Sequence, residues 1–369
     1  MPALDGLRGV AILMVLFHHL LVYEPHGIGG RLYAGFAEFC GHGVDLFFCL
    51  SGFLIAGVLS RNERGGGFAR DFWVRRVAKI LPLYLLLVAG VFVALDPLLG
   101  LAGQAGKLQW LRADHAAWPW YLLVSSNIHN FLEGRFTNPA MDVAWSLAVE
   151  IQFYLLAFLV SRLELRRHWL WVCGAAVVVA MASRFVLWRT GYGWLPILVC
   201  TPCRLDAFAL GAVVCLAPRI LDRLSPAGLL VLVPVAVLSG WSRETPFVQL
   251  FGYTLVALVF GGLVARAALP TGNAWLRSRF LCWCGQISYA VYLVHLPLRA
   301  MLRDYLLPKE RVLFGVQAWA QQLAFHLLAG LASLLLGWLA WRLVEDPARR
   351  WLIRRFASAK VEVTPVGQV

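Results

Sequence analysis

The sequence predicts an all-α polytopic membrane protein, a bundle of about ten transmembrane helices with both chain ends on the inner side. Three observations predict it. Of the 369 residues, 60% are hydrophobic and only 14% are charged, where soluble domains carry about 25% charged residues. The apolar residues fall in long runs, and mean hydropathy is +0.70. The basic residues sit at the ends of those runs, as topology signals do. A disordered chain lacks this aliphatic and aromatic content. A lipid-facing barrel would alternate apolar and polar residues, and these runs do not.

Taken in order, the runs predict spans near 7–23, 42–60, 80–99, 143–161, 169–187, 195–217, 226–241, 248–265, 282–299 and 316–341, each long enough to approach or cross a bilayer. The first run lacks a basic leader and a small-residue cleavage site, so it reads as a retained helix. Arg61, Arg64, Arg70, Arg75, Arg76 and Lys79 follow the second span, in what reads as an inner loop containing Gly65-Gly66-Gly67. With the basic tail, they set the N-in and C-in orientation. The largest outer segment, about 100–142, contains Trp118-Pro119-Trp120-Tyr121, which fits an interfacial or re-entrant piece. Residues 1–355 read as one membrane domain and 356–369 as a short cytoplasmic tail. The net charge of +13 does not imply nucleic acid, because the charges flank spans. The eight cysteines lie in or beside apolar segments without a zinc spacing, so no metal is expected.

Ionisable residues inside apolar spans are costly and mark a site by default. Arg8 and His19 stand eleven residues apart on nearly the same face of one helix, separated by roughly 16 Å along its axis. His18 points about 100° away and reads as packed. Asp45 opens the second span, as a helix-start carboxylate or as a partner that orients a histidine. Ser146 and Glu150 share a face at i,i+4; an interhelical ion pair is the bland alternative for Glu150. Arg204 and Asp206 lie in the sixth span, where they neutralise each other or other buried charges. Ser288, Tyr292 and His295 form one stripe of the ninth. The last span ends at Glu345-Asp346-Pro347, where proline stops it and solvated charges are expected.

At these residues the chain resembles the acyltransferase 3 family of integral membrane O-acyltransferases. The matching stretches are LDGLRGVAILMVLFHH, GVDLFFCLSGFLI, FWVRRVAKILPLY, VAWSLAVEIQFYLL, TPCRLDAFALG, CGQISYAVYLVHLP and WRLVEDPARR, in the family's order over residues 4–350. The resemblance implies a ten-helix bundle in a bacterial inner membrane. It implies transfer of an acyl group, usually acetyl, from cytoplasmic acyl-coenzyme A to a hydroxyl on a glycan, lipid or small molecule. Acetyl-coenzyme A is then a co-substrate, and no permanently bound cofactor is expected. The implied partners are the bilayer, a glycan or lipid-linked glycan acceptor and glycan-assembly proteins. Arg8 and His19 match the family's Arg-then-His pattern, and Ser146 through Glu150 its Ser-Leu-x-x-Glu.

Arg75, Arg76 and Lys79 match its basic motif, with lysine where arginine is more usual; a point charge binds phosphate without the bidentate fork. Many members carry a C-terminal hydrolase-like domain; none is read here. On this resemblance, Arg8, Arg75, Arg76 and Lys79 hold the donor's phosphates. His19 acts as base or through an acyl-histidine, and Asp45 or Glu150 orients it. Trp118–Tyr121 is a candidate sugar platform or an interface anchor. The alternative class is a transporter or flippase that uses the same buried His, Glu and Arg. Its paired broken helices are not read in the sequence.

Overall fold

The computed structural model describes residues 1–22, 27–60, 67–95, 115–163, 168–217, 225–269, 274–306 and 316–358, and every regular element among them is helical. In chain order these are α1 Pro2–His19, α2 Gly27–Cys40, α3 Gly43–Leu59 and α4 Phe68–Ala89. The short helices α5 Trp118–Leu122 and α6 Ser126–Glu133 follow, then α7 Ala144–Arg162, α8 Trp169–Arg189, α9 Trp194–Val199 and α10 Leu205–Leu216. The last are α11 Ser225–Ser239, α12 Tyr253–Ala268, α13 Arg279–Leu306, α14 Val316–Ala340 and α15 Asp346–Phe356. Seven stretches among the described residues are long and apolar enough to cross a membrane: Gly27–Leu59, Phe68–Ala94, Ala144–Arg162, Trp169–Arg189, Val248–Ala268, Arg279–Arg303 and Ala318–Phe356.

Three of the ten expected spans take another form. The first is α1, 18 residues diluted by Asp5, Arg8 and two histidines. The seventh is α11, only 15 residues. The sixth is broken. Pro202 removes a backbone donor and disfavours helix at the residue before it. The chain is extended at Cys200 and makes a 3-10 turn at Pro202–Arg204 before α10 begins. Side chains meet the freed carbonyls: the Asn127 amide donates to Val199 O at 3.2 Å, and Arg184 donates to Cys203 O at 3.2 Å.

Two further expectations are corrected. α4 begins at Phe68, so Arg70, Arg75, Arg76 and Lys79 stand on a helix rather than in a loop. Positions 75, 76 and 79 then share one face, which the apolar-run criterion missed because the helix continues beyond its apolar part. Pro347 sits in the first turn of α15, where proline is tolerated, and a π-helical turn over Trp341–Glu345 joins α14 to it. Glu345 and Asp346 are buried at 3% and 7% exposure, and Asp346 binds Arg350 at 2.7 Å. Arg61, Arg64, most of the Gly65–Gly67 loop, residues 96–114 and the tail beyond Ser358 lie outside the described residues.

The bundle centre is built on two helix pairs pressed together at glycine. α1 and α13 run in the same direction, with a Gly285 side chain excluded by Asp5 O and a Gly9 side chain by Leu281 O. α3 meets α10 reciprocally: Gly52 faces Phe208 O, and Gly211 faces Cys49 O. In each case an added Cβ falls about 2 Å from a backbone oxygen, a distance no rotamer relieves. Gly174 on α8 has open space instead. Gly285→Ala is therefore expected to cost about 1–3 kcal/mol or more. Gly174→Ala should be neutral or slightly stabilising, and thermal melting of the two purified variants checks the contrast.

Candidate active site

Two chambers open between these helices. One, of ≈ 220 Å³, is lined by Arg8, Arg75, Arg76 and Lys79, with Ser51, Ser146, Glu150, Ser288 and Tyr292 on its walls. The other, of ≈ 480 Å³, is lined by His18, His19, His42, Asp45, Asp142, Trp145, Trp194, Arg204, Arg243 and Arg299 among others. Val44 and Tyr292 belong to both linings, so the chambers meet at a shared wall. There the Tyr292 hydroxyl and Ser146 Oγ hydrogen-bond at 2.6 Å. Arg8 and His19, on one face of α1, open into different chambers.

The basic chamber concentrates cations on α1 and α4. Arg76 lies 4.1 Å from the Phe72 ring centre and 5.4 Å from that of Tyr154, and its buried Nε has no hydrogen-bond partner among the described residues. Glu150 accepts hydrogen bonds from Ser51 and from Tyr154. Ser288 Oγ donates to Gly285 O at 2.8 Å. A polyanion with a hydroxyl-bearing or amide-bearing arm fits such a lining.

In the second chamber each imidazole can be followed atom by atom. His295 Nδ1 stands 2.8 Å from Tyr292 O and 3.2 Å from Val291 O. Carbonyls only accept, so Nδ1 carries the hydrogen and His295 Nε2 is an acceptor. His19 Nδ1 lies 3.0 Å from that Nε2 and must therefore donate to it. The lone pair of His19 is thus left on Nε2, which no described residue contacts by hydrogen bond. His18 has neither nitrogen free, since Nδ1 donates to Ala37 O at 2.9 Å and Arg243 approaches Nε2 at 3.4 Å. His42 is likewise filled: Nδ1 bonds Asp45 at 2.8 Å and Nε2 accepts from the Trp241 indole at 3.0 Å.

Neither expected carboxylate orients His19. Asp45 binds His42 and Arg204, Glu150 faces the basic chamber, and the partner of His19 is His295. Arg204 and Asp206 do not neutralise each other. Arg204 pairs with Asp45 and lies 4.0 Å from the Tyr253 ring centre. Asp206 pairs with the fully buried Arg184 at 2.8 Å and accepts from Thr254 at 2.6 Å, outside both linings. Trp118–Tyr121 line neither chamber; the aromatic walls of the second are Phe136, Trp145, Trp194, Tyr253 and Tyr292. Sequence reasoning missed His42, Arg243 and Arg299. The His42-x-x-Asp45 spacing, one helical turn, and the Arg299 position one turn beyond His295 are the signals that could have found two of them.

Asp142, in the turn ahead of α7, has a buried oxygen without a hydrogen-bond partner among the described residues. Burial pushes its carboxyl up to about 7. A carboxyl that holds its proton more tightly when folded loses the protein stability as pH rises from the unfolded value, near 4, through 7. Asp142→Asn escapes that loss. Its melting temperature should climb relative to the parent between pH 4 and 7 and keep a constant lead above; parallel pH profiles would contradict the burial argument.

The acyltransferase domain family matches residues 1–342. A protein of Komagataeibacter xylinus, provisionally named a membrane-bound transacylase, is 31% identical over 82% of this chain and 74% of its own length. A Bacillus subtilis protein, provisionally named a peptidoglycan O-acetyltransferase, is 26% identical over 96% of the chain and 56% of its own. A Staphylococcus aureus protein with the provisional name of O-acetyltransferase is 23% identical over 83% and 52%. The chain spans about half the length of the last two. No solved structure matches. A multi-pass helical bundle matched along nearly its whole length belongs to the membrane acyltransferase family, acyltransferase 3.

Proposed function

We propose that the chain moves an acetyl or other short acyl group from cytoplasmic acyl-coenzyme A to a hydroxyl of an envelope or exported glycan, in a bacterial inner membrane. One observation carries the reading. Among the described residues, His19 Nε2 is the ring nitrogen in the second chamber that keeps a lone pair and has no hydrogen-bond partner, and that chamber adjoins a cluster of cations suited to a nucleotide. In this reading Arg8, Arg75, Arg76 and Lys79 hold the phosphates on the inner side, with both chain ends inside. The pantetheine arm runs toward the wall at Tyr292.

His19 Nε2 takes the proton of the acceptor hydroxyl as its oxygen attacks the thioester carbonyl. The tetrahedral intermediate collapses with loss of the carbon–sulfur bond, giving the ester. The coenzyme A thiolate then recovers the proton from the imidazolium. His295 positions the ring and leaves its reactive nitrogen free, the part usually played by a carboxylate. The glycan acceptor is supported by the aromatic walls of the chamber and by the name of the Bacillus relative.

The test is acetyl transfer from labelled acetyl-coenzyme A by the purified chain in liposomes, alongside mass spectrometry of envelope glycans with and without the gene. His19→Ala should lower transfer by roughly 10²–10⁴-fold, whereas His18→Ala should keep most of it; the reverse pattern would reassign the base. Arg75→Ala with Arg76→Ala should weaken coenzyme A binding about ten- to hundredfold and leave acceptor binding unchanged. A donor affinity equal to the parent's would remove the basic chamber from the mechanism.

A further inference from the structure

The histidine chamber is cationic as well, on the side away from Arg8, Arg75 and Arg76. Arg204, Arg243, Arg299 and Arg303 line it, and the carboxylates in the lining are Asp45 and Asp142. Asp45 is already engaged by Arg204 and His42. Arg204 is 1% exposed, yet its Nε and Nη1 have no hydrogen-bond partner among the described residues; the same holds for the buried Nε of Arg299. A buried guanidinium with open N–H groups is expensive unless something else fills them. With both chain ends inside, as the proposed function has them, topology does not call for these arginines, because basic residues are favoured at the opposite membrane face.

Arg299 is also placed close to the chemistry. It stands one helical turn beyond His295, the residue bonded to His19, and its Nη2 reaches Leu21 O at 3.4 Å, two residues past His19. One turn is about 5.4 Å, the scale of a single sugar ring.

We infer that the histidine chamber selects an acceptor with an oxyanion, a carboxylate or a phosphate, on the same sugar as the reactive hydroxyl, bound by Arg299 with Arg204. This rests on the acyl-transfer reading and adds to it the chemical class of the acceptor. Arg243, held by Glu38 at 3.5 Å and by His18, forms the rim. The guanidinium fork matches an oxyanion bidentately, which fixes the sugar's orientation as well as its affinity.

The experiment uses three probes with one skeleton: methyl glucoside, its 6-carboxylate and its 6-phosphate, measured by equilibrium dialysis on the detergent-purified full chain at matched ionic strength. At least one charged probe should bind about ten- to hundredfold tighter than the neutral one. A tighter carboxylate assigns acidic sugars, and a tighter phosphate assigns phosphate-bearing ones. Arg299→Gln, which keeps a donor for Leu21 O, should abolish the preference while coenzyme A binding stays at the parent value. Equal affinity for all three probes in the parent overturns the inference without recourse to any variant. So does a preference that survives Arg299→Gln, since the anion would then sit elsewhere. Acetyl transfer to neutral acceptors without charge preference sinks this inference alone. Charge-selective binding without transfer to any acceptor sinks the acyl-transfer reading and leaves the anion site standing.

Discussion

The Asp5 carbonyl occupies the space where a side chain on Gly285 would stand, and this contact brings the backbones of α1 and α13 together. Fourteen residues after Asp5 comes His19, and ten after Gly285 comes His295; the two rings meet at 3.0 Å. Helices that run in the same direction and touch at glycine leave little freedom to slide, so the glycine contact fixes the distance between the rings. Because carbonyls of the α13 backbone hold His295 Nδ1, the tautomer is fixed too. The nitrogen left open, His19 Nε2, is thereby selected by main-chain geometry rather than by a charged partner.

The buried charges of the bundle form connected sets. Trp241, His42, Asp45 and Arg204 make one chain, and Arg184, Asp206 and Thr254 another. Such sets rarely raise stability relative to apolar packing, but losing one partner strands a buried charge at a cost of about 3–5 kcal/mol. Both hang from the break at Pro202. An unbroken helix across Cys200–Arg204 would have carried Arg204 and Asp206 only two residues apart, on divergent faces. The 3-10 turn lets Arg204 reach α3 and Asp206 reach α8 and α12, so the break is what ties the bundle's polar centre together.

Much of this was legible in the sequence. Helical class, most spans within a few residues, and the placement of Arg8 and His19 on one face follow from periodicity and helix rise. So does the i,i+4 pairing of Ser146 with Glu150, which brings both to the basic chamber. What failed has a common physical origin. The sequence offers Asp45 and Glu150 as partners for His19 because a carboxylate is the usual partner of an imidazole, while a second imidazole 276 residues away leaves no local spacing to read. The apolar run begins twelve residues after the start of α4, because apolar runs delimit lipid contact, whereas the helix extends into a region where charged side chains line a chamber. Residues 195–217 read as one span because the hydrophobicity persists through a proline that breaks the backbone.

The two chambers also explain why charge counting describes this chain only in part. Lys and Arg report topology when they stand in loops, but Arg75, Arg76 and Lys79 stand on a helix and face a cavity, and Arg204 is buried near the bundle centre. A cation in such a place has field lines confined by low-dielectric walls, so its influence on a bound anion is larger than at an open surface. Two cationic cavities back to back, separated by Val44 and Tyr292, suit a reaction in which both partners arrive charged and only the neutral acyl group passes between them. Under the proposed function the wall needs to admit an acetyl group and no charge, which a tyrosine hydroxyl bonded to Ser146 can border without giving up the separation of the two sides.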